Sequence, residues 1–183
     1  ARIGLIAFGA SQMNDPWEQS LIDGLRERGY VVGKNLVIEH RYAGGSVERM
    51  PEIAEELASI KLDAIVTTCT PSTRVMHKAS RTTSLVMAAV SDPVGQGLIA
   101  SYARPGGNIT GLASQFEDIA AKMLGLLREA LPAASPVAVV SNSRNPVHQT
   151  FLRELEAAAR PLGVRLVPVE VGLELTRIHL GLG

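Results

Sequence analysis

The chain has 183 residues, 46% of them hydrophobic and 20% charged, which is enough apolar material for one large domain or two small lobes. Its 18 basic and 18 acidic side chains give zero formal net charge, and with no basic excess or Lys/Arg stripe there is no electrostatic case for nucleic acid or an anionic membrane surface as partner. The single cysteine, Cys69, excludes an intrachain disulfide and a multi-cysteine metal centre, and no apolar run nears the ~20 residues that span a bilayer.

The sequence opens on ARIGLIAFGAS, a strand pattern over 3–8 with no basic-then-apolar leader ahead of it, so any targeting segment is expected to be already removed. Asp15-Pro16-Trp17-Glu18 follows as a helix start: a capping aspartate, a proline at the first helical position, and a glutamate three residues on that completes a capping box. Trp17, Leu21 and Leu25 share one face of that helix, which places Trp17 in the core. Further strand patterns are expected at 36–41, 64–67, 85–90, 109–112, 137–140 and 164–169. Helical faces alternate with them: Ile53, Leu57 and Ile60; Ile119, Met123, Leu127 and Ala130; Val147, Phe151, Leu155 and Leu162. Strand then helix with short connections predicts an α/β fold with parallel sheets flanked by helices. Thr70-Pro71, Asp92-Pro93 and Asn145-Pro146 repeat the cap-then-proline start, all on the rim at the carboxyl ends of the strands where such folds bind ligands.

The stretch AAVSDPVGQGLIASYARPGGNITGL (88–112) concentrates two prolines and five glycines between two apolar segments. A short helix at most is expected over 98–102. We read the stretch as a crossing between two lobes, where glycines absorb the dihedral changes of a hinge. That divides the chain into a first α/β lobe, 1–108, and a partial second lobe, 109–183. The alternative is a surface loop within one continuous sheet.

GYVVGKNLVIEHRYAGGSVERMPEIAEELASIKLDAIV (29–66), SDPVGQGLIASYARPGGNITGL (91–112), EALPAASPVAVVSNSRNP (129–146) and LGVRLVPVEV (162–171) resemble the extracytoplasmic substrate-binding proteins of ABC uptake systems, of the branch similar to tryptophan- and tyrosine-binding components. The resemblance runs in order over residues 1 to 171. It implies a two-lobed architecture of the type I periplasmic-binding-protein kind, a small-molecule ligand such as an amino acid or aromatic acid, a membrane permease as partner, and a periplasmic or extracytoplasmic location. It implies no enzyme activity and no cofactor. Members of the family run longer, and VGLELTRIHLGLG (171–183) stops matching; the second lobe is therefore expected to be incomplete, by truncation or by a frameshift near Val171.

Ligand contacts are expected on the strand-end rim. For an amino-acid-like ligand, hydroxyls and backbone N–H groups near Thr68, Thr70, Ser72 and Thr73 suit the carboxylate at a helix start. Asp92, beside Ser91, suits the ammonium; it equally suits a cap for whatever follows Pro93. Ser11 and Gln12 follow the first strand, and Asn142 and Asn145 lie on the first rim loop of the second lobe. Among Trp17, Tyr30, Tyr42 and Tyr102, Tyr42 is the candidate to stack on an aromatic ligand, because it sits just past a strand end. His40, His77, His148 and His179 show no ligand-like spacing, so no metal is expected.

Two other classes fit parts of the pattern. TTCTPSTRV (67–75) sets Cys69 at a strand end just before a helix start, faintly like the aspartate/glutamate racemases, although two-base proton exchange needs a second acid/base that no second cysteine supplies. The effector domain of a transcription regulator shares the hinged architecture and would need a DNA-binding segment ahead of Ala1.

Overall fold

Ile3, Leu5 and Ile6 are buried along β1 (Arg2–Ala7), because that strand is covered on both faces, as a central parallel strand is. The computed structural model describes residues 1–9, 15–114, 116–141 and 146–170. They form two compact units, divided after Ser114.

In the first unit β1 is followed by α1 (Pro16–Glu27), β2 (Val37–Tyr42), α2 (Met50–Ser59), β3 (Ala64–Thr67), α3 (Thr70–Ala79), β4 (Ser84–Ser91) and β5 (Ile109–Ser114). All strand pairs are parallel, in the order β2-β1-β3-β4-β5. Every strand expected from the apolar pattern is present, with ends shifted by at most a few residues.

Alternation along the strands splits the core in two. Ile6, Ile65, Leu85, Met87 and Ile109 join Met50, Ile53, Ala54 and Leu57 of α2 and Met76 of α3 on one face. Ile3, Leu36 and Val66 meet Leu21 and Leu25 of α1 on the other. Gly4 on β1 makes room for α2 and the segment that follows it, since a Cβ there would lie 3.0 Å from the Leu62 side chain and 3.4 Å from that of Leu57 on α2. Trp17, expected in the core, is 47% exposed. No residue of α1 is fully buried, so this helix rests on the sheet through half-buried leucines rather than a full apolar stripe.

The strand expected to open the second lobe closes the first sheet instead. β5 pairs with β4 from Leu85↔Ile109 onward, and Leu85 and Ile109 are both buried in the same core. The unit boundary therefore falls after Ser114 rather than Asn108. The Gly/Pro-rich residues before β5 form turns, with Leu98 and Ile99 buried and Ala100 N–H donating to the Pro105 carbonyl at 2.8 Å. No helix forms over 98–102, because positive-φ Gly97 and Gly106 flank that segment and Pro105 lies just past it.

The second unit consists of α4 (Phe116–Ala130), β6 (Val137–Ser141), α5 (Pro146–Leu162) and β7 (Leu166–Glu170), with β6 and β7 paired in parallel. Leu155, Ala159 and Val164 form its core with Ala120 and Leu124, and Phe151 and Leu162 pack against them; the Val147 side chain lies outside the described residues. On α4 the buried stripe is Ala120 and Leu124, one residue on from the expected Ile119 and Met123, which are 39% and 51% exposed. A groove of about 570 Å³, lined by Met123, Leu126, Leu127, Val140, Phe151 and Leu166, opens on this unit.

Candidate functional site

Strand order 2-1-3-4-5 puts a topological switch point between β1 and β3: the chain leaving β1 runs to α1 on one face, and the chain leaving β3 runs to α3 on the other. Crevices at such points, outside the carboxyl ends of the strands, are where open α/β sheets bind ligands. Thr68 stands at this crevice. Its N–H donates to the Ile6 carbonyl at 3.3 Å and its hydroxyl to the same oxygen at 3.4 Å, tying the end of β3 to β1. Ser11 and Gln12, expected on the β1 side, lie outside the described residues, as do Asn142 and Asn145 of the second unit.

The start of α3 differs in detail from its expected form. Cys69, not Thr70, is the N-cap, and Thr70 and Pro71 are the first two helical residues. Ser72 reaches back: its hydroxyl accepts from Cys69 N–H at 3.1 Å and donates to the Cys69 carbonyl at 2.8 Å, which satisfies a donor the helix leaves open. Thr73 Oγ1 donates to the same carbonyl at 3.0 Å and lies 2.6 Å from Thr67 Oγ1. Ser72 and Thr73 are fully buried, so they build the turn rather than face a ligand. Thr70 is buried too, its Oγ1 accepting the Ser91 N–H at 3.1 Å. The Cys69 thiol lies 3.4 Å from the Ser72 hydroxyl, inside this capping turn.

Ser91, the last residue of β4, bonds through Oγ to Ser114 Oγ at 3.0 Å. Thr70, Ser91 and Ser114 thus form one chain of contacts across α3, β4 and β5, ending at the last residue of the first unit. A bulge between Met87 and Val90 makes this possible: it shifts the phase of the strand so that Val90, not Ala89, enters the core, and Ser91 comes opposite Ser114. Ser114 is not identifiable from sequence. Its only signal is a strand-end hydroxyl, which is common.

Asp92 is exposed and holds φ 41°. Its Oδ1 accepts the Gly95 N–H at 2.8 Å, closing a turn in which Gln96 N–H donates to the Asp92 carbonyl at 2.9 Å. The capping role is therefore present, on a turn rather than a helix, and the carboxylate keeps acceptor capacity beyond this one bond.

At the other end of the rim, Tyr42 ends β2 with its hydroxyl donating to Glu18 Oε2 at 2.7 Å, while His40 Nε2 lies 2.7 Å from Glu18 Oε1. The two rings stack, centroids 6.1 Å apart and 7° from parallel. Glu18 therefore does not fold back into a capping box; Asp15 alone caps α1, accepting Trp17 N–H at 3.0 Å. Two polar side chains two apart on an edge strand were the available signal for this cluster. On the opposite face of β2, Arg41 binds Glu56 at 2.6 Å and Arg2 binds Glu39 at 2.7 Å. The Glu56 hydrogen bond raises the Arg41 pKa, and the same bond lowers that of Glu56. Among the described residues no group of three or more His, Cys, Asp or Glu side chains is placed to hold a metal ion.

The family model described as ABC transporter substrate binding protein matches residues 3–175. A tyrosine-binding protein of Clostridioides difficile (strain R20291) is 33% identical over 129 residues, covering 70% of this chain and 37% of that protein. Among solved structures, a conserved domain protein of Vibrio cholerae O1 biovar El Tor str. N16961 is similar at 29% identity with a TM-score of 0.82, covering 93% of this chain and 57% of the other. An ABC domain of Streptococcus pneumonia crystallised with L-Trp shares the fold at 24% identity and a TM-score of 0.81, with the same coverage. The chain thus spans a little over half the length of these solved relatives. The fold they share with it is that of type I periplasmic binding proteins.

Proposed function

Because the chain belongs to the ABC transporter substrate-binding protein family, we propose that it carries the ligand-capturing rim of an uptake system for an amino acid, taken up outside the cytoplasm and passed to a membrane permease. The observation that carries this reading is the family match over almost the whole chain, falling on a rim whose crevice lies at the switch point of the first sheet. The identity to a tyrosine-binding protein supports an aromatic amino acid as ligand.

The roles follow from charge and position. Ligand carboxylate sits toward the start of α3, where the Thr68 hydroxyl stands, Thr70 offers its backbone N–H rather than its inward-turned hydroxyl, and the helix dipole favours an anion. Ser72 and Thr73 hold that turn in shape from beneath. Ligand ammonium is received by Asp92, with Ser91 beside it, and Tyr42 offers aromatic surface. Ser11, Gln12, Asn142 and Asn145 are the remaining proposed contacts. As members of this family are binding proteins, Cys69 is read as a helix cap and not as a nucleophile.

The variant that isolates the ammonium contact is Asp92→Asn. Asparagine keeps the acceptor for Gly95 N–H and tolerates positive φ, so the fold is preserved while the charge is lost. Calorimetric titration with L-tyrosine should show affinity reduced about tenfold or more, as for a charge-assisted hydrogen bond. Affinity within twofold of the parent would remove Asp92 from the site.

A further inference from the structure

We propose that Glu18 is a positioning residue, whose carboxylate clamps the first turn of α1 to the edge strand β2 and fixes the Tyr42 side chain there. The need for such a clamp is visible in the packing. Helix α1 has no fully buried residue, its apolar contact is made by the half-buried Leu21 and Leu25, and Trp17 beside Glu18 is 47% exposed. Among the described residues, strand β2 pairs with β1 alone. Two weakly seated elements therefore meet at this corner of the rim.

Glu18 joins them with both oxygens. His40 and Tyr42, two residues apart on one face of β2, present Nε2 and a hydroxyl to the two carboxylate oxygens, each at 2.7 Å. The stacked rings fix the spacing of those two groups. Glu18 and His40 side chains are 22% and 33% exposed, so the contacts lie partly out of water, where hydrogen bonds to a charged group are stronger than at a free surface. A glutamate at the third helical position ordinarily turns back to its own helix; here it reaches the sheet. The clamp holds Tyr42 with its hydroxyl occupied, so that what it contributes at the rim is its ring. Only this consequence for ligand binding rests on the function proposed above.

Trp17 is the single tryptophan of the sequence, which makes its fluorescence a local reporter of α1. Time-resolved anisotropy without ligand should show the fast local component enlarged about twofold in Glu18→Ala, as for a released helix end. Glu18→Gln should stay near the parent, because the glutamine oxygen can accept from Tyr42 and its amide N–H can donate to His40 Nε2, and Tyr42→Phe should fall between. An anisotropy decay in Glu18→Ala equal to the parent, or equal mobility in the Ala and Gln variants, would overturn the clamp. In parallel titrations Glu18→Ala should weaken L-tyrosine about fivefold and Glu18→Gln less than twofold. A parent protein that binds no L-tyrosine, with the anisotropy pattern intact, would overturn the proposed ligand and leave the clamp supported.

Discussion

At Gly111 the backbone takes φ 132°, and a Cβ there would lie 2.0 Å from the Met87 carbonyl oxygen and 2.8 Å from Met87 N. The neighbour is backbone, next to the bulge that brings Ser91 opposite Ser114, and cannot give way cheaply. Gly111→Ala should therefore cost about 3 kcal/mol in urea unfolding; a change below about 1 kcal/mol would mean that β5 shifts freely. His77 offers a second residue-scale test. Its Nδ1 is buried with no hydrogen-bond partner among the described residues, and burial, reinforced by the Arg81 charge and only partly opposed by Asn108, lowers its pKa. The unfolded chain then takes up the proton first as pH falls below the ordinary histidine value of about 6.5, so stability drops there and is full above it. His77→Gln should flatten the fall in unfolding free energy between about pH 7 and pH 5; an unchanged slope would place the acid sensitivity elsewhere. At this scale the sequence showed which residue types crowd the rim, Thr68, Thr70, Ser72, Thr73, Ser91 and Asp92. It did not show their partners, because Thr70–Ser91 and Ser91–Ser114 are contacts made only after distant strands pair.

At the scale of elements, α1 and α2 are of similar length and amphipathicity yet are held differently. Helix α2 buries Met50, Ile53, Ala54 and Leu57; α1 buries no residue fully. Native-state amide exchange should therefore release α1 by local opening well before α2, whose amides exchange only with larger unfolding. Equal protection of the two helices would contradict this account of the packing. Apolar periodicity sufficed to place strands and helices, since a strand covered on both faces and a half-buried helix each impose a repeat on the sequence. It failed for Trp17 and for the Ile119 and Met123 face of α4. An apolar repeat reports which residues favour burial but not how much neighbouring surface is present to bury them, and α1 and α4 each have apolar positions left open. The boundary between units was missed for a related reason: glycine and proline mark a turn in the chain, whereas the pairing of β5 with β4 decides to which sheet the next strand belongs.

For the molecule as a whole, membership of the substrate-binding family was legible because several long stretches matched in order, and the type I fold followed from it. The ligand was not legible. Residue types at the rim are compatible with many small molecules, and the hydroxyls that looked most available for an anion are turned inward in the folded chain. Whether the rim captures an amino acid is decided by isothermal titration of the natural gene product with L-tyrosine, with L-leucine and a neutral sugar titrated alongside. Saturable one-site binding of L-tyrosine is expected, with weaker binding or none for L-leucine and no heat of binding from the sugar. Saturable binding of the sugar with no response to either amino acid would contradict amino-acid capture.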